Sequence, residues 1–491
     1  MTVKFKNLIV YVFTAATLAY GSVLYYSTLV YIKDYLYGLY IDVAESLFPF
    51  ANTYTIVDNR DYKKYVKTFS RLPGGFIYAG SLLICRTQQT LTLDELVPEV
   101  IPYTDYFSEY KIKNDIKKYN GITSNVISKG ALLIIPKASP PLMPETKNHV
   151  KPELIVARGL YFTGTSAGST VLLDNLQQFR KYGINTIVFD AKDIEGIVNY
   201  YSRVQEVRDY NTHERRSIGN IQKLIRTLKE NKFYTIARIA VFHDHLLRKR
   251  EPRFAIRSKR TGRIWNSESK EKWCDPTSIK VQDYNINIAL ELADLGVDEI
   301  QFDYIRFPTT GDLSDADFNY SFGRMTNDES ITRFLKRAYH KISAHTARLS
   351  IDIFGVVAWG KVVDINSTGQ RIELLSRYCD IISPMLYPSH FNSDFDGYKR
   401  PGDNPYYFIY NGCRKVSSLA GKRVVVRPWL QAFRWHVSNY NTQYILKQIK
   451  ACNDAGARGY LFWNASNEYD TVLRALDEIN TGTTEKNSKE N

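Results

Sequence analysis

The sequence predicts an α/β protein whose main body is a (β/α)8 barrel, and three observations carry that expectation. From about residue 151 the chain alternates short apolar strand segments with amphipathic helical ones, and eight strand segments are found before residue 478. The fourth segment, Val297-Asp298-Glu299-Ile300-Gln301-Phe302-Asp303-Tyr304-Ile305-Arg306-Phe307-Pro308, alternates apolar Ile300 and Phe302 with polar Gln301 and Asp303. A strand covered by helices carries apolar residues on both faces, so a polar row there costs burial energy unless it lines a site. Finally, no glycine-rich first turn of a doubly wound sheet is present.

In chain order, Lys4 and Lys6 precede an uncharged apolar run over residues 8–32, long enough to cross a bilayer. The run continues past Ala19-Tyr20-Gly21-Ser22, where a signal peptidase would cut, which favours an uncleaved anchor (residues 1–35) over a cleaved signal. The basic leader predicts the amino terminus inside and the bulk of the chain outside the cytoplasm, periplasmic or on the cell surface.

Residues 54–137 predict a small α+β domain. Leu82-Leu83-Ile84 is a strand, and Thr92 with Glu95 three residues on is a helix-capping pair. A second helix over 108–118 ends at Tyr119-Asn120-Gly121-Ile122, and Gly130-Ala131-Leu132-Leu133-Ile134-Ile135-Pro136 is the closing strand. This order resembles the LysM carbohydrate-binding module. The resemblance implies binding of N-acetylglucosamine-containing glycans such as peptidoglycan; the plain alternative is a spacer domain. Residues 138–150 are a Pro-rich, stiff linker.

The barrel is expected over 151–478. Its strands fall at 154–163, 185–190, 233–242, around Glu299, 349–359, 380–388, 423–433 and 459–464. Helices are expected at 170–182, 220–230, 282–295, 331–347, 370–378 and 441–455, with a long loop between the sixth and seventh strands. Residues 479–491 are polar and are expected to be a disordered tail.

Chemistry in such a barrel sits at the carboxyl ends of the strands. Those ends carry Asp190, Lys192 and Asp193; Arg238 and His243; Asp303 and Arg306; Asp352; Tyr387; Trp429 and Gln431; Trp463 and Asn464. Carboxyl groups with Trp and Tyr suit a carbohydrate, acids for proton transfer and flat rings for the apolar faces of sugars. Asp303 and Asp352 end adjacent strands and are the expected catalytic pair, with Asp190 in reserve. Asp303 is the expected nucleophile or base, with Arg306 and Lys192 as its cations. Asp352, among Ile351, Ile353 and Phe354, is the expected acid, because desolvation keeps its proton on. The other strand-end residues are expected to contact substrate.

Residues 154–464 resemble the "putative glycosyl hydrolase domain" family of bacterial envelope proteins. The resemblance rests on Ala157-Arg158-Gly159-Leu160-Tyr161, Val188-Phe189-Asp190-Ala191-Lys192-Asp193, Ala237-Arg238-Ile239-Ala240-Val241-Phe242, the fourth strand, and Ser383-Pro384-Met385-Leu386-Tyr387-Pro388-Ser389-His390. It implies a barrel related to glycoside hydrolases and does not imply a known substrate. Gln301-x-Asp303 also resembles the Arg-x-Asp nucleophile strand of alpha-amylase-type barrels, with Gln in place of Arg and Asp352 in place of their Glu acid.

The formal net charge of +14 is spread along the chain without a nucleic-acid motif, so no nucleic-acid partner is expected and a basic surface facing an anionic envelope is favoured. The five cysteines, Cys85, Cys274, Cys379, Cys413 and Cys452, form no C-x-x-C pair, and no metal or other cofactor is expected. Gly164-Thr165-Ser166-Ala167-Gly168 fits the esterase elbow pattern. His243-Asp244-His245 would suit a metal-dependent polysaccharide deacetylase. The remaining alternative is a non-catalytic glycan-binding barrel.

Overall fold

The computed structural model describes residues 77–79, 82–87, 89–139, 154–265, 272–318 and 325–487. The chain divides into two compact units, residues 1–141 and 142–491. The apolar run 8–32 lies outside the described residues; among those described, no helix is long and apolar enough to cross a membrane.

In the first unit the strands Leu82–Arg86 and Leu132–Pro136 pair antiparallel, and Ile77–Ala79 adds to the first of them. The helices Leu93–Val100 and Glu109–Asn120 lie between the two strands in sequence. The first helix opens on the expected capping box, Thr92 with Glu95. Asn120 ends the second, its amide donating to the Ile116 and Ile134 carbonyls while its carbonyl accepts from the Ile134 N–H, so one side chain joins helix to strand. Leu83, Leu96, Val97, Ile112, Ile116, Leu133 and Ile135 make one buried core.

The second unit is a closed barrel of eight parallel strands: Ala157–Phe162, Thr186–Lys192, Tyr234–Ala240, Glu299–Asp303, Arg348–Phe354, Ile381–Met385, a seventh split into Val425–Val426 and Trp429–Gln431, and Gly459–Trp463. The eighth strand pairs with the first and closes the ring. The contact there is tight: Gly459 has φ +86, and a Cβ on it would stand 2.0 Å from the Ala157 carbonyl oxygen. The second, third and fourth strands are buried along their whole length, as helix-covered parallel strands must be. The interior is polar at its amino-terminal end as well, where Arg427 pairs with Glu299 and the Tyr234 hydroxyl donates to Glu299 Oε2 at 3.0 Å.

Three elements differ from expectation. The long loop after the sixth strand contains a helix, Pro405–Ala420. Its aromatic-rich sequence, Pro start and internal Gly412 hide the period, yet Phe408, Ile409, Gly412, Cys413, Val416 and Ala420 are buried at helical spacing. Pro405 occupies the first turn, where its missing N–H is harmless, and Gly412 lets Leu386 approach to where a Cβ would be. The fifth strand stops at Phe354, because Gly355–Trp359 turns into a 3-10 helix. The last helix, Asp470–Asn487, runs through residues 479–487, which composition alone assigns to a disordered tail. Its first turns are anchored by buried Val472, Ala475 and Leu476.

Candidate active site

Arg238, at the end of the third strand, is the centre of the carboxyl-terminal mouth. Its Nη1 donates to Asp190 Oδ1 at 2.5 Å, and its Nη2 and Nε donate to Asp303 Oδ2 at 2.6 and 3.2 Å. The same Nε lies 3.9 Å from Asp352 Oδ2. Three carboxyl groups from the second, fourth and fifth strands therefore converge on one guanidinium, all nearly buried. The parallel register explains the convergence. Asp190 is paired with Arg238, and Phe302 with Ile351, so Asp303 and Asp352 come next on adjacent strands. Burial opposes the charge of Arg238, but the carboxylates of Asp190 and Asp303 outweigh it and push its pKa well up.

The remaining lone pairs separate the three acids. Asp190 Oδ2 accepts from the Tyr161 hydroxyl at 2.6 Å. Asp303 Oδ1 accepts from the Tyr304 N–H at 2.5 Å. Asp352 Oδ1 accepts from Trp429 Nε1 at 2.8 Å, while its Oδ2 is buried without a hydrogen-bond partner. Burial, then repulsion from Asp303, raises the Asp352 pKa well above the carboxyl value. Burial raises Asp190 too, against the pull of Arg238. Tyr304, directly after Asp303, has φ +53, a left-handed conformation uncommon for a bulky residue and frequent at working sites.

The expected cations of Asp303 lie elsewhere, so Arg238 takes the role assigned to Lys192 and Arg306. A β-bulge between Asp190 and Lys192 takes the Lys192 ammonium to Asp244 Oδ2 at 2.7 Å and to the face of Tyr284. The Arg306 guanidinium lies over the rings of Trp273 and Phe354 and donates to the Phe307 carbonyl. Asp193 caps its own loop through the Glu195 and Ile197 N–H groups and the Asn199 side-chain amide, and burial, then Asp190, raises it to about 6. Gln431 and Asn464, expected to touch substrate, also hold loops, and Asn464 lines a cleft at the mouth. The Gln431 amide donates to the Phe433 and Trp435 carbonyls, and that of Asn464 to the Ala432 and Glu468 carbonyls.

The aromatic residues divide in two. Trp429 is buried inside the barrel and serves Asp352. Trp463 is partly exposed, stacks on Tyr161 at 6.2 Å and leans on Tyr387 at 5.7 Å, so it forms a wall above the acids. His243 bonds the Ile194 carbonyl and packs on Trp273 and Tyr304, whereas His245 faces Glu195 and Asp244 caps its helix. The His-Asp-His run thus diverges, and among the described residues no group of three or more His, Cys, Asp or Glu is arranged to hold a metal. Ser166 of the elbow-like segment bonds Thr163 within a one-turn helix cap. All five cysteines are buried and free.

Fold and mouth together define a (β/α)8 barrel with an acid cluster at its carboxyl-terminal face. The chain belongs to the family described as "putative glycosyl hydrolase domain", whose sequence model matches residues 159–469. That membership supports glycosidase chemistry at a coarse level. Solved structures resembling the chain include a hypothetical protein from Ruminiclostridium thermocellum, 32% identical over 39% of this chain and 96% of that one, TM-score 0.35. Others are the PgaB (BpsB) glycoside hydrolase domain from Bordetella bronchiseptica (12% identical, 66% and 98% covered, TM-score 0.48) and the spore cortex-lytic enzyme SleL from Bacillus megaterium (11%, 80% and 85%, 0.40). A comparison with curated proteins found no match.

Proposed function

We propose that the protein is a glycoside hydrolase acting on a cell-envelope or extracellular polysaccharide through carboxyl groups alone. The observation that carries this reading is the free, buried Oδ2 of Asp352 beside Asp303. A glycosidase needs one carboxyl that keeps its proton for the leaving oxygen and one that attacks the anomeric carbon or activates water. Asp352, raised by burial, supplies the first. Asp303, held by Arg238 and the Tyr304 N–H, supplies the second. Both oxygens neighbour one Arg238 Nε, at 3.2 and 3.9 Å, so they are at most about 7 Å apart, a span compatible with retention or inversion.

Asp352 is 1% exposed, so its proton reaches a glycosidic oxygen only after side chains at the mouth give way. That burial also favours a second reading, a glycan-binding barrel without turnover. The first unit acts in either case as a LysM-like glycan-binding module, on its strand–helix–helix–strand order, and residues 8–32 tether the chain to the membrane with the barrel outside. The test is release of reducing ends from cell-wall and surface polysaccharides by the purified protein, with Asp303→Asn as control. Release that needs Asp303 supports the enzyme; binding without release supports the second reading.

A further inference from the structure

We propose that a cleft beside the acids, centred on Trp435, is a preformed subsite for an uncharged oligosaccharide chain. This rests on the barrel's being a glycan-acting one, hydrolytic or not. The cleft, of about 650 Å³, is lined by His390, Phe433, Trp435, Tyr440 and Trp463 and by the charged residues Arg434, Arg474, Glu468 and Asp470. Trp463 belongs both to this cleft and to the wall it makes with Tyr161 and Tyr387, and the Tyr161 hydroxyl bonds Asp190, so the cleft adjoins the wall of the acid cluster.

Trp435 is 52% exposed. A large exposed ring is ordinarily avoided, and one at the mouth of a cleft is suited to the apolar face of a sugar. Its orientation is built, not incidental. The ring stacks on His436 at 3.8 Å and meets the His390 edge at 5.1 Å. His436 has φ +52, a turn conformation that surrounding contacts must hold. Those contacts are present. Gln431 bonds the Phe433 and Trp435 carbonyls while accepting from the Ser389 N–H. Asp403 accepts from the Ser438 N–H and hydroxyl. Gly402 lies against the loop where a Cβ would be 2.2 Å from the His436 carbonyl oxygen.

The charges name the ligand class. Arg434, Arg474, Glu468 and Asp470 line the cleft together, so two cations balance two anions. With the signs balanced, an acidic glycan gains no net attraction, its carboxylates being repelled by Glu468 and Asp470 as they are drawn to Arg434 and Arg474. A hydroxyl-rich neutral chain finds acceptors in the carboxylates, donors in the guanidinium groups and rings to stack on.

The test is calorimetric binding of chitohexaose, cellohexaose and xylohexaose, with an oligogalacturonate as the acidic comparison, by the intact protein carrying Asp303→Asn. The expected result is binding of at least one neutral hexasaccharide, weakened about tenfold by Trp435→Ala and less by Trp435→Phe. Equal affinity in both variants, preference for the oligogalacturonate, or no binding of any neutral chain overturns the subsite. Because the assay needs no turnover, Trp435-dependent binding by a protein that releases no reducing ends would remove the hydrolase and leave the subsite standing.

Discussion

Asp352 makes the sharpest residue-level claim because its two oxygens are treated so differently. Burial and the nearby Asp303 raise its pKa, so the folded chain holds this proton more tightly than the unfolded chain. The stability linked to that proton is fully present below the unfolded carboxyl value of 3.8 and is lost as pH rises through the raised folded value. Asp190 is raised by burial and contributes with the same sign. Asp352→Asn, a neutral isostere, should therefore flatten the decline of Tm from acid to alkaline buffer; a curve parallel to wild type would show that the carboxyl is not protonated by burial. In kinetics the same variant should reduce kcat about 10²–10⁴-fold, the usual contribution of a positioned acid. Arg238→Met is the complementary change. It strands Asp190 and Asp303 without their cation, and breaking a buried pair from one side typically costs about 3–5 kcal/mol. Denaturant unfolding would measure it, and a loss below about 1 kcal/mol would mean that Asp190 and Asp303 are not both charged in the folded protein.

At the scale of elements, alternation and helical spacing made the eight strands and the helices between them legible. The inward period of two then brought Asp190, Arg238, Asp303 and Asp352 to one end. What sequence spacing missed were departures from that period. The bulge at Asp190/Lys192 sent Lys192 to Asp244, an event no two-residue pattern anticipates. Gln431 and Asn464 stand at strand ends like the acids, and their amides also bond loop carbonyls, a second role that strand spacing does not reveal. Trp435 lies beyond a strand end, in a loop whose conformation depends on Gly402, Asp403 and Gln431 from other segments, and local sequence carries no sign of that. Closure of the ring makes a clean test. Gly459→Ala would place a Cβ against the Ala157 carbonyl in a left-handed backbone, so the eighth strand should lose its register with the first, costing about 2–4 kcal/mol. A Tm within a degree of wild type would show that the seam yields without strain.

For the whole molecule, the question is what the two units do on one chain. On the proposed reading the barrel acts on a polymer, and a LysM-like unit that bound the same polymer would raise its local concentration without any new contact at the site. The proposed tether would act in the same direction by restricting search to the envelope surface, and the net charge of +14 would favour residence near an anionic wall. The proposed tether rests on the uncharged run at residues 8–32 behind Lys4 and Lys6, and the basic leader predicts the amino terminus inside. Two measurements follow. The protein should stay with membranes through high-salt and alkaline washes, because a spanning apolar segment, unlike a basic surface, is insensitive to screening. Protease added to spheroplasts should digest the barrel while intact membrane shields only the amino-terminal segment. Extraction by salt alone would reassign membrane association to the basic surface. A barrel protected from the protease would place the acid cluster in the cytoplasm, away from any envelope polysaccharide, and the envelope substrate would then have to be abandoned even if the barrel itself proved hydrolytic.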